Sequence, residues 1–199
     1  MKKGVFHHLF KGVQIEVSRV ERNEAKDSGK KQAENPFAHL ERKPLKISSG
    51  TKISEILDHY DKRAITIGAL GGHSALDVCR GAKKYGFRTV VVCQKGREAT
   101  YAKYYKARDS GKGIVDEVIL VDKFSDITKK DVQQKLRDLN TIFVHNRYFW
   151  VYCNFKDIEK NFKVPIYGTR SMVKLEERDQ PKNQYYLLSK AGVRMPKLF

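Results

Sequence analysis

The sequence predicts a mainly parallel α/β sheet with helices on both faces. Two observations carry that expectation. Short apolar runs rich in Val, Ile and Thr recur at residues 64–70, 88–94, 116–122 and 141–145, and helical periodicities separate them. The run "RTVVVCQ" (88–94) is apolar without alternation, the pattern of a strand covered on both sides. Strands that alternate with helices close into right-handed crossovers.

Taken in order, residues 1–47 stand apart. Their composition is basic, polar and poor in periodicity, so they are expected to form a largely disordered leader, with a short strand or hairpin over 3–18. Ile53, Ile56, Leu57 and Tyr60 follow helical spacing behind Ser49 or Thr51 as cap. "AITIGAL" (64–70) reads as a buried strand. Ala75, Leu76, Cys79 and Ala82 line one face of the next helix, which Gly86 ends. A second strand covers 88–94, and a basic, Tyr-rich helical segment covers 98–108. The third strand is "DEVILVD" (116–122). Thr128 and Asp131 suggest a capping box before a helix with Val132, Leu136 and Leu139 on its apolar stripe. "TIFVH" (141–145) is the fourth strand and "VPIYG" (164–168) a fifth. Phe149, Trp150 and Phe155 are expected to close the core, and a last helix covers about 179–191.

The 199 residues carry a formal net charge of +17, a field that draws polyanions or phosphorylated ligands. Residues 83–112 hold nine Lys or Arg against only Glu98 and Asp109. A solvated basic face and an anion-binding face both fit that count. Cys79, Cys93 and Cys153 form no C-x-x-C pair and sit among apolar neighbours, as reduced, buried thiols of a cytoplasmic protein do. No apolar run approaches the ~20 residues of a membrane span, and the start lacks the uninterrupted apolar core of a signal peptide.

The stretch with most chemistry is "GGHS" (71–74), where the first strand hands over to a helix. In such sheets ligands sit beyond the carboxyl ends of the strands. Gly71 and Gly72 let backbone approach a ligand, and a helix start offers free N–H groups to phosphate. His73 and Ser74 add a ring nitrogen and a hydroxyl. The spacing is neither the G-x-G-x-x-G of nicotinamide sites nor a P-loop. A plain strand-to-helix turn fits the same residues. The second strand ends in Lys95, Gly96 and Arg97, a similar arrangement that could grip the same anion. After the fourth strand, Asn146, Arg147 and Tyr148 are placed to face a ligand.

Several stretches together resemble the amino-terminal part of the archaeal PurP family. They are "SEILDHYDKRAITIGALGGHSALDVCRGAKKYGFRTVVVCQKGRE", "DEVILVDKFSDI", "NTIFV…YCNFKDIEKNFKVPIYGTRSMVKLEERD" and "LLSKAGVRMPKLF", which together span about 49–199. The resemblance implies a Rossmann-like pre-ATP-grasp domain over 48–178, with the start of an ATP-grasp domain over 179–199. It implies a ligase of purine (IMP) biosynthesis that phosphorylates formate with ATP. The amine of aminoimidazole carboxamide ribonucleotide (AICAR) then attacks the formyl phosphate. The resemblance places His73 on the ribonucleotide, with Tyr148 where the family's contacting serine stands; the turns read above add Gly71, Gly72, Ser74, Lys95, Gly96 and Arg97 to the expected substrate-binding set. ATP and Mg²⁺ are implied as cofactors, but most of their binding residues belong to the ATP-grasp portion missing from this chain. The chain alone is therefore expected to be inactive, with no catalytic or metal-ligating residue assigned to it. A homo-oligomer is left open and a membrane partner is not expected.

The family's Pro-His-Gly-Ser after the fourth strand is replaced here by His145, Asn146, Arg147 and Tyr148. That departure leaves room for a second reading, a non-catalytic paralogue that binds a nucleotide or a partner protein. A third, a basic nucleic-acid-binding module, rests on charge and the tyrosines near Lys103 and has no recognised motif behind it.

Overall fold

The computed structural model describes residues 47–168, 170, 175 and 181–196, all within one compact unit, residues 45–199. The expected leader lies outside the described residues except for Ile47. Four parallel strands form the sheet: β1 (Thr66–Leu70), β2 (Arg88–Gln94), β3 (Glu117–Val121) and β4 (Thr141–Phe143). Their order is β3-β2-β1-β4, with Gly68 opposite both Val90 and Phe143. The α/β class read from the sequence is what the chain adopts.

Strand pleating sends alternate residues to opposite faces. Val90 and Val92 of β2 join Leu70 and Phe143 in a core with Phe124, Leu136, Phe149 and Phe162. Val91 and Cys93 face the other way and pack with Ala69, Ala75, Cys79 and Tyr101. Helix α1 (Ile53–Asp58) covers a third cluster through Ile56, beside Tyr60 and Ile65. The chain thus buries both faces of its sheet. Phe149 and Trp150 are buried as expected, and Phe155 packs against the same cluster.

Helix α2 (Ala75–Lys84) ends as the sequence implies. Gly86 takes φ 81°, its N–H donates to Lys83 O and the N–H of Phe87 donates to Ala82 O. That paired closure needs a left-handed residue, which glycine supplies without a Cβ penalty. Asp116 then ties three elements together before β3. It accepts from Lys83 Nζ at 2.6 Å, from the Thr89 N–H at 2.8 Å and from the Thr89 hydroxyl at 3.1 Å. Burial works against its charge, but these bonds hold its carboxyl below the usual carboxylate range.

Several expectations need correction. The helix expected over 98–108 is a six-residue π-type turn, Ala99–Tyr104. It stops because Tyr105 O is taken by the N–H groups of Ile114 and Val115, and Lys106 bridges to Val115. The expected fifth strand is a single parallel bridge between Ile166 and Phe143. Pro165 sits in that run and has no N–H for a ladder. Helix α1 starts behind Lys52, because the Thr51 hydroxyl closes a local turn by accepting from the Ser48 N–H. Helix α3 (Lys130–Asp138) starts behind Lys129, because the Thr128 hydroxyl donates back to Ser125 O. Two short helices after β4, α4 (Arg147–Tyr152) and α5 (Phe155–Lys160), were not foreseen. The final helix, α6 (Gln184–Lys190), is shorter than expected, and the Asn183 carboxamide oxygen accepts from the Tyr186 N–H at its start.

Candidate functional site

The strand order sets where a ligand can sit. From β1 the chain runs outward through β2 to β3, then returns to place β4 on the other side of β1. The crevice beyond the carboxyl ends of β1 and β4 is the switch point at which open α/β sheets bind ligands. The 71–74 turn leaves β1 there, and residues 144–148 leave β4 beside it.

The β1 turn is held from both sides. Gly71 N–H donates to Val92 O at 2.7 Å, and the Tyr101 hydroxyl donates to Gly72 O at 3.3 Å. Burial, then neighbouring Cys93, Cys79 and Tyr148, pushes the Tyr101 phenol up to about 12, so it stays protonated as a donor. Ser74 stands in the left-handed region at φ 67°, which costs a non-glycine residue about 1–2 kcal/mol. Its hydroxyl lies 2.8 Å from His73 Nδ1. His73 is exposed, and the serine holds its ring through one nitrogen.

From the β4 side, Asn146 is buried and its Nδ2 donates to Leu70 O at 2.7 Å, across the ends of β1 and β4. Its Oδ1 is buried without a partner. Arg147 is exposed and Tyr148 half-buried. The Tyr148 ring lies on the glycine turn: a Cβ at Gly72 would stand 2.2 Å from Tyr148 Cδ2. The ring also packs edge-on against Phe124 at 5.3 Å and Tyr152 at 5.2 Å.

The β2 turn is built differently. Gly96 takes φ 84°. Lys95 Nζ pairs at 2.6 Å with Asp122 after β3, on the side of β2 away from β1, and both side chains are exposed. Arg97 lies over the Phe124 ring at 5.8 Å. So Gly71, Gly72, His73, Ser74 and Tyr148 come together, Arg97 joins them through Phe124, and Lys95 and Gly96 stand apart. Tyr101 and Phe124 were missed by sequence reasoning. Tyr101 lies 29 residues from the carbonyl it bonds, and no local pattern announces such a pairing.

The three cysteines are free and buried. Burial first of all pushes the Cys93 thiol up to about 11 and those of Cys79 and Cys153 to about 12, so none is an activated nucleophile. Among the described residues no helix is long and apolar enough to cross a membrane.

Residues 67–199 match the family described as protein of unknown function (DUF1246). The chain belongs to the DUF1246 family. It is 45% identical over 145 residues to a 5-formaminoimidazole-4-carboxamide-1-(beta)-D-ribofuranosyl 5'-monophosphate synthetase of Methanobrevibacter smithii, covering 72% of this chain and 37% of that protein. It is 42% identical over 148 residues to the synthetase of the same name from Methanosphaera stadtmanae, covering 74% and 38%. With that of Methanocaldococcus jannaschii it shares 38% identity over 151 residues, covering 76% and 39%. This DUF1246 chain therefore spans under two fifths of the length of the curated relatives it matches. Among solved structures it is similar to the IMP biosynthesis protein PurP from Thermococcus kodakaraensis, with 24% identity, TM-score 0.48 and coverage of 67% of this chain and 39% of that one. The relatives' names carry the family resemblance drawn from the glycine turn and its flanking strands.

Proposed function

We propose that this chain is the amino-terminal domain of a formate-using, ATP-dependent ligase that formylates AICAR to its formamido product in IMP biosynthesis. In this reading residues 48–178 are the pre-ATP-grasp domain and 179–199 open the ATP-grasp portion. The domain's task is to hold the ribonucleotide. The observation that carries the reading is the 71–74 turn at the β1/β4 switch point, in a chain 45% identical to a synthetase of that name.

The turn suits a phosphate. The start of α2, ten residues long, brings the positive end of its dipole beside Ser74. His73 and the strained Ser74 present a ring nitrogen and a hydroxyl, and Arg97 supplies positive charge from the β2 side. When bound, ATP and Mg²⁺ would supply the phosphoryl group and its charge stabilisation. Among the described residues no group of three or more His, Cys, Asp or Glu converges to hold a metal. The donor set here does not fit Mg²⁺, so the chemistry assigned to this chain is binding and orientation. A second reading, a binding-only paralogue, is favoured by the Tyr148 ring lying on Gly72.

Calorimetric titration with AICAR, the formylated product and ATP tests the proposal. The expected result is binding of both ribonucleotides, weakened at least tenfold by His73→Ala together with Arg97→Ala, as loss of charge-assisted hydrogen bonds implies. Binding of ATP alone, or AICAR binding indifferent to both substitutions, would sink it.

A further inference from the structure

The crevice assigned above is covered at one point by the chain's own side chain. Tyr148 lies so close to Gly72 that even a methyl group would overlap its ring. The ring is braced by Phe124 and Tyr152. Close by, the Asn146 carboxamide is buried, with one end fixed to Leu70 O and Oδ1 unpartnered. An unpaired buried acceptor is costly, and a ligand donor would satisfy it. Arg147, the other bulky residue of this stretch, is exposed and does not block the turn.

We propose that Tyr148 decides what the crevice admits. A phosphorylated ribonucleotide seats against Gly72 only after the ring leaves it, and it then offers a donor to Asn146 Oδ1. This rests on the ribonucleotide reading above. The ring-out state is the minor one, and minor states of this kind are populated at ~0.1–10%. Apparent affinity falls by the reciprocal of that fraction, so the ring lowers it roughly 10- to 1,000-fold. A half-buried phenol with aromatic neighbours is thus a cover whose cost falls on any ligand that seats against Gly72.

The test is calorimetric titration of the 199-residue chain with AICAR, comparing wild type, Tyr148→Phe, Tyr148→Ser and Tyr148→Ala, with folding checked by circular dichroism. Two truncations guard against one failing to fold. The expected result is weak binding by wild type and Tyr148→Phe, which keep the ring, and at least ~10-fold tighter binding by the truncated variants. Equal affinity in all four overturns the proposal and leaves the ribonucleotide reading standing. Weaker binding by the truncated variants also overturns it, because the phenol is then a direct ligand contact. Absence of AICAR binding in every variant overturns the ribonucleotide reading, and the gate falls with it.

Discussion

The turns after β1 and β2 look alike in sequence and differ in construction. Each has glycine and cationic or polar residues at a strand's carboxyl end. In the β1 turn, Gly72 is needed because another side chain, Tyr148, occupies the space of a Cβ. In the β2 turn, Gly96 has open space around it and is needed because its φ is 84°. One glycine answers to packing, the other to backbone conformation. The β1 turn is roofed by aromatics and held by the Tyr101 hydroxyl, while the β2 turn carries an exposed ion pair. Similar residues therefore yield a covered turn and an open one. The difference lies in what distant segments bring to each.

The sharpest way to break this comparison is to remove what both turns lean on. Phe124 is 1% exposed, with Arg97 on one side and Tyr148 on another. Phe124→Ala should cost about 3–5 kcal/mol in denaturant unfolding, as buried Phe truncations do. A loss near zero would mean that the two turns share no support. Next come the glycines themselves. Gly72→Ala should cost about 1–3 kcal/mol by overpacking, and the loss should vanish in a Tyr148→Ala background. Gly96→Ala should cost about 1–2 kcal/mol through its left-handed backbone, unchanged by Tyr148→Ala. A double-mutant cycle that couples Tyr148 to Gly96 as strongly as to Gly72 would erase the distinction.

The smallest effect concerns the Tyr101 hydroxyl. Tyr101→Phe should cost about 0.5–1.5 kcal/mol, one hydrogen bond's net contribution. The sign with pH follows from burial. The phenol is pushed up to about 12 in the fold, above the usual value near 10. Its contribution is therefore complete below pH ~10 and is lost as pH rises toward 12. Stability measured from pH 9 to 12 should fall more steeply in wild type than in Tyr101→Phe; parallel curves would remove Tyr101 from the account.

Much of the framework was legible because it is local. β1, β2 and β3 announce themselves as β-branched runs, and Gly86 ends α2 where the helical stripe stops. The position of the 71–74 turn at a strand end followed from those runs. Helices α4 and α5 were not legible. "RYFWVY" has apolar residues all round, and a six-residue helix forms only because Phe149 and Trp150 pack into the core. The roof over Gly72 was invisible for a related reason. It joins residues 76 positions apart, and the sequence shows that Tyr148 is bulky without showing where its ring goes.

The position of β3 has a consequence for solubility. β3 is the outermost strand of the sheet among the described residues, and its Leu120 is 45% exposed. An outer strand with free backbone groups is a template for pairing with another chain. Four adjoining apolar residues, Val118, Ile119, Leu120 and Val121, lie between Glu117 on one side and Asp122 and Lys123 on the other. Repulsion between copies that each carry a net +17 works against such pairing. That protection is ionic and fades as added salt shortens the Debye length from about 10 Å at 0.1 M to about 3 Å at 1 M. Colloidal behaviour of the chain is therefore tied to ionic strength through one strand's edge.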